Sequence, residues 1–213
     1  MEIGAGAGSI AAWLAQAVGN EGSVLATDLD TKFLGELDLP NLRIGQHDIT
    51  RDPLPQASFD LIHSRALIHL LPERERVLET LARALKPGGW LICEVFDHFL
   101  LTYPEDEPIR DAVWKFLETS GVAGSWGRQL PALFQQLAFT DVRANGHVQI
   151  FNGGSAAAEL WALTWLQFRD RLLDGKFLSV EQLEKGLAEL SDPTYWAMAP
   201  LMVAVRGRCP SLR

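Results

Sequence analysis

Three glycines at alternate positions directly precede the first predicted helix of the chain. They are Gly4, Gly6 and Gly8. Glu2 and Ile3 lead into them, and Ser9 opens a segment whose apolar residues recur at helical spacing. The pattern predicts a strand, a glycine turn and an amphipathic helix. Glycine allows left-handed backbone and close approach of a ligand, and a helix N-terminus favours anionic groups. The motif therefore indicates a site for a nucleotide-like ligand.

Strand-like and helix-like segments alternate through the first two-thirds of the sequence. Short, almost continuously apolar strands that alternate with helices are typical of a parallel sheet covered on both faces. We therefore predict an α/β fold, a three-layer Rossmann-like sandwich. The predicted strands cover residues 23–27, 41–46, 59–63, 90–96 and 201–205. A brief helix is predicted at 32–37, and a second helix carries Val77, Leu78, Leu81 and Leu85 on one face and ends at Lys86–Gly89. Ser179, with Gln182 three residues on, predicts a capping box at the start of a late helix.

The composition limits the class of protein. A length of 213 residues suits one domain, and the formal net charge of −8 without a basic run argues against a nucleic-acid partner. No stretch reaches the roughly 18 uninterrupted apolar residues that a membrane span needs. Two cysteines form neither a disulfide framework nor a metal motif. We expect a cytoplasmic protein with no membrane partner and no bound metal. The composition does not indicate whether the protein is a monomer or an oligomer.

The spacing of the glycines separates two classes of nucleotide site. The dinucleotide fingerprint of oxidoreductases places its third glycine five residues after the first. Ser9 occupies that position here, whereas the third glycine is Gly8. Because this difference alone is a weak signal, a Rossmann-type nucleotide-binding oxidoreductase stays open as an alternative.

Further features follow the glycine motif in a fixed order. Asp28 ends the second predicted strand, where a carboxylate can accept both hydroxyls of a ribose. Asp48 and Ile49 follow the third strand, and the turn Lys86–Gly89 precedes the fifth. Together with the glycine motif, this series resembles the class I S-adenosylmethionine-dependent methyltransferases of small molecules and secondary metabolites.

The resemblance runs from Glu2 to about Asp97 and implies a mostly parallel seven-stranded sheet with an antiparallel final strand. It also implies helical insertions that form a lid, and S-adenosylmethionine as the cofactor. Within a single domain of residues 1–213, residues 1–97 would form the cofactor-binding half and residues 98–213 the substrate-side half. Family members carry helices before the position of Glu2, which we expect this chain to lack.

The resemblance assigns the methionine part of the cofactor to the glycine turn. Glu2 would be oriented toward the methionine amino group. Asp28 would hold the ribose, and Leu29 would pack beside the adenine.

Two further pairs of residues carry over from the family. Asp48 and Ile49 would read the adenine edge, while Ser64 and Arg65, just past the fourth predicted strand, match the position that meets the methionine amine. The cofactor-binding residues implied by the resemblance are Glu2, Gly4, Ala5, Gly6, Gly8, Asp28, Leu29, Asp48, Ile49, Ser64 and Arg65.

A neutral methyl acceptor also needs a base, and three residues are candidates. His69 follows the fourth strand, where it could equally be a helix-face histidine that only packs. Asp97 and His98 follow the fifth strand, where substrate residues lie in open α/β sheets. His63 lies within a strand and is better explained as a satisfied core residue.

The acceptor is expected to be a small molecule. The fourth strand is followed by Ser64-Arg65-Ala66-Leu67 rather than by the Asn-Pro-Pro-Tyr or Asp-Pro-Pro-Tyr run of nucleic-acid amino methyltransferases. Seven tryptophans favour an aromatic or polycyclic acceptor, although core packing explains Trp161 and Trp165 more simply. A methyltransferase-like partner protein without cofactor is the second alternative, against which the intact glycine motif argues.

Overall fold

The computed structural model describes residues 1–97, 108–122 and 124–210. The strands are β1 (Glu2–Ile3), β2 (Val24–Asp28), β3 (Leu42–Gln46), β4 (Phe59–Arg65), β5 (Leu85–Asp97), β6 (Thr140–His147), β7 (Ile150–Asn152), β8 (Trp196–Met198) and β9 (Leu201–Arg208). The α-helices are α1 (Ser9–Val18), α2 (Arg74–Ala84), α3 (Pro108–Thr119), α4 (Leu130–Gln136), α5 (Ala156–Asp174) and α6 (Val180–Ser191). Short 3₁₀ helices cover Gly19–Glu21, Ile68–Leu70 and Gly127–Gln129.

Seven strands form one sheet in the order β3-β2-β1-β4-β5-β9-β6. The central strand β1 pairs in parallel with β2 and with β4, and β3 and β5 extend the sheet in parallel on either side. The last strand is antiparallel: just after its final residue, the Cys209 N–H donates to the Gly89 carbonyl of β5, and the Gly88 N–H donates back to the Cys209 carbonyl. The predicted Rossmann-like fold with a mostly parallel sheet and an antiparallel final strand is confirmed.

Both faces of the sheet are covered. Leu14 and Ala15 of α1 pack with Val24 of β2 in one apolar cluster. In β5 every second residue from Leu91 to Asp97 is buried and the residues between them are half-buried. This pattern is expected for a strand that has helices on both sides.

Three predicted boundaries differ from the structure. The fourth strand continues through Ser64 and Arg65, which pair with β5, so these two residues are the end of the strand and do not lie past it. The predicted turn Lys86–Gly89 forms an irregularity inside β5, because Phe59 pairs with Leu85 whereas two residues later β4 pairs with Trp90.

The third difference is the short helix predicted at residues 32–37, which is wrong. Hydrogen bonds there run from the Leu34 N–H to the Thr31 carbonyl and from the Leu37 N–H to the Leu34 carbonyl. These are consecutive turns, which a six-residue apolar pattern cannot distinguish from a helix because helix nucleation needs a longer run.

The chain divides into two compact units. The first contains Met1–Val95, Arg128–Asn145 and the segment from Val203 onward, and the second contains Phe96–Gly127 and Gly146–Met202. The first unit holds most of the seven-stranded sheet with α1, α2 and α4.

The second unit is built from α3, α5, α6 and the antiparallel pair β7–β8. The N-terminus of α6 has the predicted capping box, in which Ser179 Oγ accepts from the Gln182 N–H and Gln182 Oε1 accepts from the Ser179 N–H. The buried apolar residues of this unit include Ile109, Ala112, Phe151, Ala158, Trp165, Leu172, Leu183 and Leu190.

None of the helices in the described parts of the chain combines the length and the apolar character required to span a bilayer.

Candidate functional site

The glycine motif forms the connection between β1 and α1. The N–H groups of Gly4 and Ala5 both donate to the Thr27 carbonyl, at 2.8 and 3.0 Å, and the Gly8 N–H donates to the Ala5 carbonyl. All three glycines have positive φ, 69° at Gly4, 55° at Gly6 and 80° at Gly8. The loop is therefore a tight left-handed turn fixed to the neighbouring strand β2.

The three glycines are needed for different reasons. A Cβ on Gly4 would lie 2.7 Å from Leu67 Cδ2, and a Cβ on Gly8 would overlap Leu37 and lie 2.8 Å from Leu34 Cδ2. A Cβ on Gly6 would meet no described atom within 4 Å. Gly4 and Gly8 thus allow close packing within the protein, whereas Gly6 leaves bare backbone facing open space.

Asp28, at the end of β2, is joined directly to this loop. Its Oδ2 accepts from the Gly6 N–H at 2.8 Å, and its Oδ1 accepts from the Asp30 N–H at 3.2 Å. The next residue, Leu29, has a side chain that is largely exposed (64%). The strand end therefore offers a carboxylate and an uncovered apolar side chain next to the glycine turn.

Asp48 and Ile49 follow β3 in a separate turn. Asp48 Oδ1 accepts from the Thr50 hydroxyl at 2.6 Å and from the Thr50 N–H at 2.9 Å. These hydrogen bonds lower the pKa of Asp48. Ile49 is buried. The carboxylate thus stabilises its own turn, and its contact with an adenine stays a prediction.

Glu2 is buried and contacts a histidine that the sequence alone did not connect with it. Glu2 Oε2 lies 2.7 Å from His63 Nδ1, and His63 Nε2 lies 3.9 Å from Glu94 Oε2. Burial raises the pKa of Glu2, and the hydrogen bond to His63 opposes that rise. His63 is a satisfied core residue as predicted, and its partner is a residue of the glycine motif. The sequence carries no signal that connects the two residues, because the contact follows from the β1–β4 register, in which Glu2 faces His63.

Ser64 and Arg65 end β4 beside the same loop. Ser64 is buried, and within residues 1–97, 108–122 and 124–210 its hydroxyl has no hydrogen-bond partner. Arg65 Nη2 donates to Ser9 Oγ at 3.3 Å, at the first residue of α1. The guanidinium therefore lies near the helix N-terminus, where two sources of positive potential combine.

The three candidate bases lie in different surroundings. His69 is in the 3₁₀ helix that follows β4 and is 1% exposed. Burial, and to a smaller extent the charge of Arg74, lowers the pKa of His69 to about 4, so its imidazole is neutral at pH 7. Asp97 is the fully buried last residue of β5 and belongs to the second unit. His98 lies outside the described residues.

The structure brings most of the predicted cofactor residues to one edge of the sheet. The neighbouring strands β2, β1 and β4 end at Asp28, at the glycine turn and at Ser64 and Arg65. In open α/β sheets, ligands bind outside these carboxyl ends. The arrangement supplies carboxylates, backbone N–H groups and one guanidinium within a single unit, which suits a ligand with hydroxyl, ammonium and carboxylate groups.

Sequence comparison with known proteins finds similarity to methyltransferases. A family model described as a methyltransferase domain matches residues 1–93. Trans-aconitate 2-methyltransferase of Deinococcus radiodurans is 36% identical over 116 residues, which cover 50% of this chain and 43% of that protein. The chain therefore spans less than half the length of this curated relative.

Solved structures share the fold over nearly the whole chain. The YcgJ protein of Bacillus subtilis has a TM-score of 0.65 at 18% identity, covering 99% of this chain and 91% of that chain. Phosphoethanolamine N-methyltransferase 2 of Haemonchus contortus, solved with phosphomonomethylethanolamine and S-adenosylhomocysteine, has a TM-score of 0.60 at 16% identity, covering 99% and 48%. The fold, the glycine motif and the sequence comparison agree: residues 1–93 match a methyltransferase domain, and the chain is similar to methyltransferases in sequence and in fold.

Proposed function

We propose that the protein methylates a small cytoplasmic molecule at an oxygen, nitrogen or carbon atom, using S-adenosylmethionine. The observation that carries the proposal is the open left-handed backbone at Gly6, hydrogen-bonded to the Asp28 carboxylate. A Cβ at this position would fill the free space that a ligand needs to reach the backbone.

The residues of the first unit fit the groups of the cofactor. Glu2 offers a carboxylate for the methionine ammonium group, and Asp28 offers one for the ribose hydroxyls. The N-terminus of α1 and Arg65 suit the methionine carboxylate. The exposed side chain of Leu29 suits the face of the adenine. We therefore assign the cofactor to these residues.

The cofactor supplies a methyl group that is already activated by a positively charged sulfur. The chain then has to orient the two reactants and exclude water, which can lower a barrier by about 7–11 kcal/mol when the geometry is good. His69 is neutral at pH 7 and can accept a proton. Because burial makes it a weak base, it suits acceptors that lose a proton readily. Asp97 and His98 remain the other candidates.

We further propose an aromatic or polycyclic acceptor. In the second unit the rings of Phe96 and Trp161 lie 6.0 Å apart between centroids and are tilted by 56°. Trp161 packs in part against the apolar cluster of this unit, and the part of its ring that stays accessible favours stacking with an aromatic molecule. Trp126 and Trp165 are buried in packing, so they do not contribute to this argument. The assignment of the inserted helices to a lid stays a prediction.

Calorimetry tests the cofactor and the main alternative together. We expect S-adenosylmethionine and its demethylated product S-adenosylhomocysteine to bind the purified protein, and NADH and NADPH not to bind. Binding of a nicotinamide cofactor without binding of S-adenosylmethionine would favour the oxidoreductase. The absence of binding by all four would favour the cofactor-free partner protein.

A mass-spectrometric screen tests the acceptor. Phenols, aromatic amines and polycyclic aromatics are incubated with the protein and S-adenosylmethionine, next to aliphatic di- and tricarboxylates, the class that includes trans-aconitate. A methylated product in the aromatic set supports the proposed acceptor class. Products confined to the carboxylates would contradict the aromatic class while leaving methyl transfer intact.

A further inference from the structure

Three ionisable side chains line up across three neighbouring strands of the first unit. They are Glu2 on β1, His63 on β4 and Glu94 on β5. The imidazole contacts Glu2 through Nδ1 at 2.7 Å and lies 3.9 Å from Glu94 through Nε2. The side chain of Glu2 is 2% exposed and that of His63 is 9% exposed. A histidine ring therefore lies between two carboxylates, and one of them belongs to the glycine motif.

The contact immobilises one oxygen of Glu2. Oε2 is bound to the ring, while no hydrogen bond joins Oε1 to another residue of the described ranges. The backbone of Glu2 is held as well, because Thr27 Oγ1 donates to its carbonyl at 3.2 Å. A buried carboxylate without a donor would be neutralised by protonation, because burial disfavours its charged form. The His63 N–H counteracts that tendency.

We infer that His63 is a positioning residue for the cofactor: it donates its Nδ1–H to Glu2 Oε2 and holds the carboxylate ionised, with Oε1 left for the ammonium group of S-adenosylmethionine. This inference rests on the proposed function. His63 acts through Glu2 and does not itself contact the ligand. Its own tautomer is set by the two carboxylates, of which Glu2 is the closer.

Three substitutions of His63 distinguish the contribution of the Nδ1–H donor from that of the packing of the ring. Asparagine places an amide N–H donor near the position of Nδ1, glutamine extends its amide toward the position of Nε2, and leucine has no donor. His63→Asn should therefore keep the hydrogen bond to Glu2, and His63→Leu should lose it. His63→Gln tests whether a donor on the side of Glu94 is sufficient for binding of S-adenosylmethionine.

The measurement is calorimetry with S-adenosylmethionine and S-adenosylhomocysteine, with circular dichroism to check that each variant is folded. We expect His63→Asn to bind within about threefold of the wild type, and His63→Gln and His63→Leu to bind about tenfold more weakly. A His63→Leu variant with wild-type affinity overturns the inference. So does a His63→Asn variant as weak as His63→Leu, because the loss would then come from ring packing.

Nitrogen-15 NMR of the histidine side chains gives a second readout, which uses the wild-type protein and needs no substitution. The wild-type protein should show His63 with Nδ1 protonated, and a spectrum with Nδ1 unprotonated overturns the inference. The results distinguish a failure of the proposed function from a failure of the inference about His63. A wild type that binds neither ligand overturns the proposed function and this role with it, whereas a wild type that binds them and is indifferent to His63→Leu overturns the inference alone.

Discussion

The carboxylate of Asp28 accepts a hydrogen bond of 2.8 Å from the backbone N–H of Gly6, across 22 positions of the sequence. The end of β2 and the middle of the glycine turn are thereby fixed to each other. The same carboxylate is the group proposed for the ribose of S-adenosylmethionine. Substitution of Asp28 would therefore change the shape of the turn and, on the proposed function, also remove a charged acceptor for the ligand.

Asp28→Ala should weaken S-adenosylmethionine binding by about tenfold or more, because a hydrogen bond to a charged group is worth about 1.5–3 kcal/mol. Calorimetry measures the change. Asp30→Ala is the matched control, since Asp30 is exposed on the same loop and its carboxylate accepts from the nearby Lys32 N–H. The ribose assignment is wrong if Asp28→Ala and Asp30→Ala bind equally well.

Gly6→Ala should abolish detectable cofactor binding in a protein that still folds. A left-handed alanine costs about 1–2 kcal/mol, and the added methyl group would fill the space left for the ligand. Gly121→Ala is the control, because Gly121 also has positive φ (82°) and free space around its Cβ position. Thermal unfolding should show similar losses of stability for both variants. Intact binding by Gly6→Ala would exclude close approach of the ligand at this position.

His69 should make the folded protein less stable in acid. Its folded-state pKa of about 4 lies below the ordinary value of 6.5, so the unfolded chain binds more protons between these two pH values. Stability therefore rises with pH across this window, by up to about 3 kcal/mol from this residue. Urea unfolding at pH 4.5 to 8 should show a smaller pH dependence for His69→Gln. His147→Gln, at an exposed histidine, should match the wild type. Equal slopes for all three proteins would contradict the burial of a neutral imidazole.

His69→Gln also tests catalysis once an acceptor is known. If His69 is the base, kcat should fall by about 10²-fold or more while the dissociation constant of S-adenosylmethionine stays unchanged. Stopped assays under cofactor saturation measure the first quantity, and calorimetry measures the second. Undiminished turnover would leave Asp97 and His98 as the candidates.

Gly186→Ala should destabilise the second unit, although replacing glycine by alanine in a helix normally stabilises it by about 1 kcal/mol. A Cβ at Gly186 would overlap Ile109 Cδ1 and lie 3.3 Å from Trp165. Overpacking of this kind costs about 1–3 kcal/mol. Urea unfolding should show the loss, and Glu184→Ala, at an exposed position of the same helix, should stay within about 0.5 kcal/mol of the wild type. A stabilised Gly186→Ala variant would mean that α6 is free to move away from α3.

Much of the fold could be predicted from the sequence because its signals are local. The alternation of buried residues from Leu91 to Val95 and the capping box at Ser179 each depend on a few neighbouring residues. The turns at residues 32–37 show the limit of such signals, since a short apolar run fits two conformations. The start of β5 at Leu85 was missed for a related reason: proline and glycine indicate a turn whether or not a strand continues through it.

The candidate site could be predicted in part. Asp28 was selected because it ends the second predicted strand, and the structure places it there, but its hydrogen bond to Gly6 was not predicted. The pairing of Glu2 with His63 depends on β1 lying next to β4, a contact between residues 61 positions apart. The Arg65–Ser9 contact is of the same kind. Periodicity carries no information about strand order, so contacts of this type require the folded structure.

The turn after β1 is held largely by main-chain groups, since the Gly4 and Ala5 N–H groups donate to the Thr27 carbonyl, while the Gly6 N–H donates to the Asp28 carboxylate. The part of this surface that consists of peptide groups does not change when a side chain elsewhere in the chain is substituted. Changes elsewhere in the chain can alter the acceptor without touching this surface. On the proposed function, the acceptor can thus change while the methyl donor stays constant.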